Sequence, residues 1–282
     1  MVKADGLALG KGVVIAQNEE EAKNALHSIM EDKIFGESGS QVVVEEFLTG
    51  PEVSVLAFTD GKVLKPMVSS MDHKRAYDGD KGPNTGGMGT ISPNPFYTEE
   101  VAKECMEKIF LPTMEAMNRE GRTFKGCLYF GLMLTPQGPK VIEYNSRFGD
   151  PETQVVLPRL DTDFAEIVKA VAEERLSQVE VRWKEQASAC VVIASGGYPG
   201  SYKKGMEIHG LDENGQAEGV TVYHAGTKWE DGKFFTNGGR VLGVTALGDT
   251  LEEALDKAYA GVEKITFEGA MYRKDIGRTH KR

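Results

Sequence analysis

The chain has 282 residues, 40% of them hydrophobic and 27% charged, with 33 Lys and Arg against 43 Asp and Glu and a formal net charge of −10. That length suggests two domains or one large one, with apolar residues enough for a substantial core. The negative balance argues against a general nucleic-acid binder, because a phosphate backbone demands a basic footprint; a nucleotide site needs only a few local cations. Cys105, Cys127 and Cys190 are far apart and outside any CxxC spacing. They read as reduced, buried thiols of a cytosolic protein, not as a disulfide frame or a zinc site. The opening MVKADGLALG has no signal-peptide apolar core, and runs such as ACVVIA (189–194) are too short to span a bilayer.

In chain order, GVVIA (12–16) is a strand candidate, and residues 19–30 form a helix with Asn18 as N-cap and three glutamates in its first turn. QVVVEEFL (41–48) and EVSVLAF (52–58) are strands broken by the turn TGP, and KVLKPMVS (62–69) is another. Residues 70–95 lack apolar periodicity and read as a long loop, which inside a compact protein is functional or disordered. A helix over 99–119 is capped by Thr98, ended by Gly121 and kinked at Pro112. Strands at 127–134 and 140–145 follow, then a helix over 162–175. After a domain boundary near 178–186 come strands at 187–194, 219–224 and 240–247 and a helix from Thr250 to about 264.

Three stretches carry chemistry. KADGLALGKGV (3–13) is a near miss to a phosphate-binding P-loop: Gly6, Gly10 and Lys11 are one residue too close, and Gly12 replaces the hydroxyl. Its glycines suit a flexible hairpin that offers backbone N–H groups to phosphates, with Lys3 and Lys11 supplying charge. An exposed glycine-rich turn is the plainer alternative. EEFLTGPEV (45–53) ends a strand and opens the next with Glu52; such a strand end can read an adenine edge and a ribose, although acidic hairpins are common. KVIEYNSRFGDPE (140–152) places Glu143 and Asn145 on one strand face, with Arg147, Asp150 and Glu152 just beyond. That pattern fits either a strand emerging into solvent or a divalent metal site beside an anion-binding arginine.

The order of these elements resembles the ATP-grasp superfamily. The blocks KADGLALGKGV, DHKR, GPNTGGMG, EYNSRFGDPETQ, GGYPG, HAGTK, TNGGRV and RKDIG are similar to those of the glycinamide ribonucleotide synthetase (phosphoribosylamine–glycine ligase) family, over essentially the whole chain. The resemblance implies an α+β ATP-grasp fold, two subdomains clasping ATP, followed by a small C-terminal β-rich domain. Their expected bounds are 1–60, 61–178 and 186–282. It further implies ATP contacts at Lys3, Gly10, Lys11, Glu45, Phe47, Leu48 and Glu52, and Mg²⁺ or Mn²⁺ ligands at Glu143 and Asn145. Oxygen donors of this kind suit a hard cation that also bridges phosphates. Many other ATP-grasp enzymes carry a further acidic ligand where this chain has Gly131, so two protein ligands are expected.

The implied reaction joins glycine to 5-phosphoribosylamine through an acyl phosphate, with ATP cleaved to ADP and phosphate. It needs positioning and charge neutralisation more than a nucleophilic side chain. Arg147 is the candidate anion clamp, and Asp150 would hold the incoming amine or orient Arg147. Lys74, Arg75, Asn84, Thr85, Gly86 and Arg240 are candidate substrate contacts, and Arg240 could bring the C-terminal domain to the site. His73 and His224 read as structural or substrate contacts rather than general bases. The expected partners are small molecules only, in a cytoplasmic protein that is monomeric at full length, with no nucleic acid or membrane. Relative to the family pattern the chain looks N-terminally truncated. The alternative expectation is therefore a nucleotide-binding fragment that makes no product alone.

Overall fold

The computed structural model describes residues 1–8 and 12–278, and these divide into two compact units, Met1–Gly50 and Pro51–Arg282.

The first unit is a three-stranded antiparallel sheet with one helix. Strands β1 (Val2–Ala4), β2 (Val13–Val14) and β3 (Val42–Val44) run in the order β2-β1-β3. Helix α1 (Glu19–Leu26) starts where expected: Asn18 Oδ1 accepts from the Glu21 N–H, and Glu21 in turn accepts from the Gln17 N–H at 2.8 Å. These reciprocal bonds satisfy donors that a helix start leaves unpaired. Ala25 and Ile29 pack on Val2 to form a small core. The strand expected over 41–48 stops at Val44. Beyond it, Glu45 exchanges two bonds with Met1: its N–H donates to the Met1 carbonyl, and its carbonyl accepts from the Met1 amino group.

In the second unit, β4 (Glu52–Thr59), β5 (Leu64–Pro66), β10 (Gly126–Thr135) and β11 (Gly138–Asn145) form an antiparallel sheet ordered β11-β10-β4-β5. Every β4 residue after Glu52 is buried, as its nearly unbroken apolar run demands, because helices cover both faces. On one face Cys105, Ile109 and Phe110 meet Val53, Val55, Phe130 and Leu132. On the other, α4 (Thr153–Val156) and α5 (Phe164–Ala172) bring Val155, Val156 and Ile167 to Leu56, Phe58 and Tyr129. The single helix expected over 99–119 is α2 (Glu99–Cys105), a wider turn at Met106–Phe110, and α3 (Leu111–Arg119). Pro112 sits in the first turn of α3, where its missing N–H costs nothing, and the wider turn supplies the interruption. Thr98 caps α2, and Gly121 leaves the helix with φ +67°.

The 70–95 stretch is not a loop. It forms β6 (Met71–Asp72), β7 (Arg75–Tyr77), β8 (Lys81–Asn84) and β9 (Gly89–Ser92). These strands are two to four residues long, too short to show a period, and β9 finds a partner about a hundred residues on. β6 and β9 join a sheet with β12 (Ala187–Ser195), β14 (Thr221–His224) and β17 (Arg240–Gly248), in the order β14-β17-β12-β9-β6, while β7 and β8 pair as a separate hairpin. A smaller sheet contains β13 (Glu207–Ile208), β15 (Thr227–Glu230) and β16 (Lys233–Thr236). Helix α6 (Leu251–Lys264), capped by Thr250, lays Ala254, Leu255, Ala258 and Val262 on the larger sheet, and β18 (Ala270–Met271) pairs with the end of β12. The two units divide at Gly50; β4 is central to the second, where β9 pairs with β12. No helix among the described residues is long and apolar enough to cross a membrane.

Candidate nucleotide and metal site

In the first unit, the Lys3 ammonium lies 2.5 Å from a Glu45 carboxylate oxygen, so two residues expected at opposite ends of a nucleotide form an ion pair across neighbouring strands. Phe47 is exposed and Leu48 half-buried just beyond. Gly10 and Lys11 lie outside the described residues. Gly6 passes so close to Ser38 that an added Cβ would sit 2.5 Å from its Cα.

In the second unit, β11 ends on Glu143 and Asn145. The Asn145 amide donates to Glu143 Oε1 at 3.2 Å, so the alternation of the strand places both groups together. Glu143 is exposed and Asn145 half-buried. Rotating the amide presents its oxygen instead, leaving two oxygen donors side by side, a set suited to Mg²⁺ or Mn²⁺. Gly131 is the cross-strand partner of Glu143, at a bulge in the β10–β11 ladder. A Cβ at 131 would approach Glu143 Cγ to 3.1 Å, so the bare backbone there gives this carboxylate room. Tyr144 faces the helices instead: its ring meets Phe130, and its hydroxyl lies 3.0 Å from Thr113 Oγ1. An apolar groove of about 620 Å³ between α3 and β11 ends at Asn145 and Ser146.

A second network surrounds the 83–89 loop. Glu52, at the start of β4, pairs with Lys74 at 3.0 Å. Burial works against the Lys74 charge, but Glu52 outweighs it, with Asp72 and Glu143 adding, and the ammonium pKa is raised. Thr85 bonds the Lys74 carbonyl through both its N–H and its hydroxyl. The Gly86 N–H donates to the Tyr198 hydroxyl at 3.1 Å, and its carbonyl accepts from Arg240 at 2.8 Å. Arg240 also donates to the Asp150 carbonyl and carboxylate, at 2.8 and 3.1 Å. Gln154 holds the other Asp150 oxygen at 2.9 Å. Gly87 has φ +116°, and a Cβ there would lie 2.5 Å from Pro151 and 2.6 Å from Asp72 Oδ1, so only glycine lets the loop pass.

Glu52, Lys74, Thr85, Gly86, Asp150 and Arg240 thus share one network, with Glu143 acting on Lys74 through its charge. Three expected residues stand apart from that network. Arg75 bonds the Gly82 carbonyl within the β7–β8 hairpin, Asn84 is its cross-strand neighbour, and Arg147 donates to the Phe148 carbonyl on its own loop. The sequence reading gave no role to Asp72, which accepts from the His73 N–H at 2.7 Å. Burial, then the nearby Glu152 charge, pushes its carboxyl well above the usual carboxylate range. Glu152 is itself 4% exposed and is held by Tyr129 at 2.9 Å. Both acids lie in motifs, DHKR and RFGDPETQ, whose basic residues drew attention first.

His73 and His224 are structural. Buried His73 has Nδ1 3.1 Å from the Gly89 carbonyl, and its Nε2 accepts from the Gly277 N–H at 3.0 Å, which fixes one neutral tautomer. His224 bridges Gly215 and Thr227. The three cysteines are free and buried, and burial raises their thiol pKa to about 11 for Cys105 and about 12 for Cys127 and Cys190.

The family model for the ATP-grasp (A) domain of phosphoribosylglycinamide synthetase matches residues 1–153, and that for the C domain of the same enzyme matches residues 188–279. The chain belongs to the phosphoribosylglycinamide synthetase family. It is 52% identical over 276 residues to the phosphoribosylamine–glycine ligase of Caldanaerobacter subterraneus, covering 98% of this chain and 66% of that protein. It is also 52% identical over 278 residues to the trifunctional purine biosynthetic protein adenosine-3 of Gallus gallus, covering 98% of this chain and 28% of the relative. The chain thus spans just under two thirds of the bacterial relative. A crystal structure of phosphoribosylamine–glycine ligase from Thermotoga maritima superposes with a TM-score of 0.85 at 38% identity, over 98% of this chain and 68% of that one. A biotin carboxylase–nucleotide complex from Campylobacter jejuni matches with a TM-score of 0.70 at 14% identity, over 96% of this chain and 58% of that one, which shows the ATP-grasp fold alone.

Proposed function

We propose that this chain carries the ATP- and metal-binding machinery for joining glycine to 5-phosphoribosylamine, with formation of glycinamide ribonucleotide, ADP and phosphate. The observation that carries the reading is the Glu143–Asn145 pair at the end of β11, in a chain of this family. In this assignment Lys3, Gly10 and Lys11 contact the ATP phosphates, Glu45, Phe47 and Leu48 hold adenine, and Glu52 holds ribose. Glu143 and Asn145 hold Mg²⁺ or Mn²⁺, which when bound neutralises phosphate charge. The glycine carboxylate attacks the γ-phosphorus and releases ADP. The sugar amine then attacks the glycyl carbonyl and expels phosphate. Arg147, exposed on its loop where it donates to the Phe148 carbonyl, is assigned to clamp an anion. Asp150 is held by Arg240 and Gln154 and so is pre-positioned beside Gly86. Lys74, Arg75, Asn84, Thr85 and Gly86 form the substrate side. The reading places the protein in the cytoplasm, acting on small molecules away from nucleic acid and membranes and monomeric at full length; the net charge of −10 supports the absence of nucleic acid, and the three free thiols support the compartment.

The test supplies the purified chain with ATP, Mg²⁺, glycine and freshly generated phosphoribosylamine, and measures ADP together with product. ADP release dependent on both glycine and the amine supports ligation. Release dependent on another amino acid overturns the substrate assignment. Mg²⁺-dependent ATP binding without turnover supports a second reading, a nucleotide-binding portion of the ligase. The fact favouring that reading is that the chain spans 66% of its bacterial relative.

A further inference from the structure

The hairpin β7–β8 carries Arg75 and Asn84 and follows directly on Lys74, and its surroundings are unusual for an exposed turn. Arg273, from the RKDIG block near the other end of the chain, has its side chain completely buried beneath it. Its guanidinium grips Asp275 side-on, with Nε to Oδ1 at 2.8 Å and Nη2 to Oδ2 at 2.9 Å. The remaining nitrogen, Nη1, reaches the hairpin twice, at the Arg75 carbonyl (3.1 Å) and the Asp80 carboxylate (2.8 Å). Asp275 also accepts from the Gly79 N–H at 2.8 Å, and the Lys274 N–H donates to Asp78 at 2.8 Å. One residue upstream of Lys74, His73 takes the Gly277 N–H. The 273–277 segment therefore meets the 73–80 segment through five separate polar contacts. A planar, five-donor guanidinium buried between two carboxylates and a carbonyl fixes geometry in a way that a lysine cannot.

We propose that Arg273 is a positioning residue for the substrate side of the site, acting through the Arg75 carbonyl and Asp80 to fix Lys74, Arg75 and Asn84. The proposal rests on the functional reading above in placing substrate at those residues. It adds a role for the RKDIG block: residues of the C-terminal part of the chain hold the 73–89 segment at two places, Arg273 at the hairpin and Arg240 with Tyr198 at Gly86. A carrier held this way loses alignment, not fold, when the clamp is weakened, and misplacement of about 1 Å is enough to cost up to a hundredfold in rate.

Two variants test it. Arg273→Lys keeps the buried charge and loses the fork. Asp80→Asn removes one exposed carboxylate at a position whose φ of +55° asparagine tolerates. Asp80→Asn keeps the test open should Arg273→Lys fail to fold. Hydrogen exchange of the 75–84 amides is compared with kinetics of the same proteins. The expected result is exchange several-fold faster in that segment, with the KM for phosphoribosylamine or glycine raised roughly tenfold and the KM for ATP within about twofold of wild type. Unchanged exchange in both variants overturns the proposal, as does faster exchange with unchanged substrate KM, or an equal rise in the ATP KM. If the wild-type chain shows no glycine-dependent ADP release, the functional reading fails by itself; the exchange comparison alone then decides whether Arg273 fixes the hairpin.

Discussion

Buried His73 adds an acid-sensitive contribution to stability. Burial and the neighbouring Arg273 charge hold its pKa down to about 4, against opposing pulls from the Gly89 carbonyl, Asp80 and Asp275. In the unfolded chain the ring returns to about 6.5. The folded state thus binds fewer protons between these values, so the contribution is intact above pH 6.5 and lost as pH falls towards 4. The two pKa values give a loss of about 2 kcal/mol between pH 7.5 and pH 5, approaching about 3 kcal/mol below pH 4. A His73→Gln variant keeps one donor for Gly89 and one acceptor for Gly277 but does not titrate. Urea unfolding of both proteins at pH 7.5 and 5.0 isolates the term, because the carboxylates they share cancel in the difference. Wild type should lose about 2 kcal/mol more than the variant over that interval. Equal losses, or an NMR titration placing His73 near 6.5 in the folded protein, would refute the reasoning.

Three further outcomes follow from the site. Gly131→Ala places a methyl 3.1 Å from Glu143 Cγ, so Mg²⁺-dependent nucleotide affinity should fall severalfold while stability stays within about 1 kcal/mol, read by calorimetry and urea unfolding; unchanged affinity contradicts the crowding argument. Arg240→Met removes bonds to Gly86 and Asp150 and should cost about 2 kcal/mol in urea unfolding, since charged donors contribute more than neutral ones; an unchanged midpoint would show that the contacts are idle. Cys105, Cys127 and Cys190 should resist a thiol reagent in the folded protein and all react when it is denatured without reductant; fewer than three thiols would reveal a disulfide.

Some of this was legible in the sequence because it depends on near neighbours. Asn18, Thr98 and Thr250 cap helices through bonds three residues away. Glu143 and Asn145 meet because strand side chains alternate. The strands of the 70–95 stretch were not legible: β9 is held by β12, about a hundred residues on, and a four-residue segment shows no period. Arg273 escaped notice for the same reason, since Arg75 and Asp80 lie nearly two hundred residues earlier in the chain. Arg240 was anticipated as a substrate contact that brings the C-terminal domain to the site. Its bonds to Gly86 and Asp150 depend on a fold that brings the start of β17 to two distant loops.

The central claim is that Glu143 and Asn145 form a metal-dependent nucleotide site. It is tested most directly by titrating ATP into the wild-type chain and Glu143→Gln, each with and without Mg²⁺. Glu143 is exposed at a strand end, so the variant should fold normally. Mg²⁺ should tighten ATP binding to the wild type by at least about tenfold and leave the variant nearly unaffected. An equal Mg²⁺ response in the two proteins would contradict the assignment.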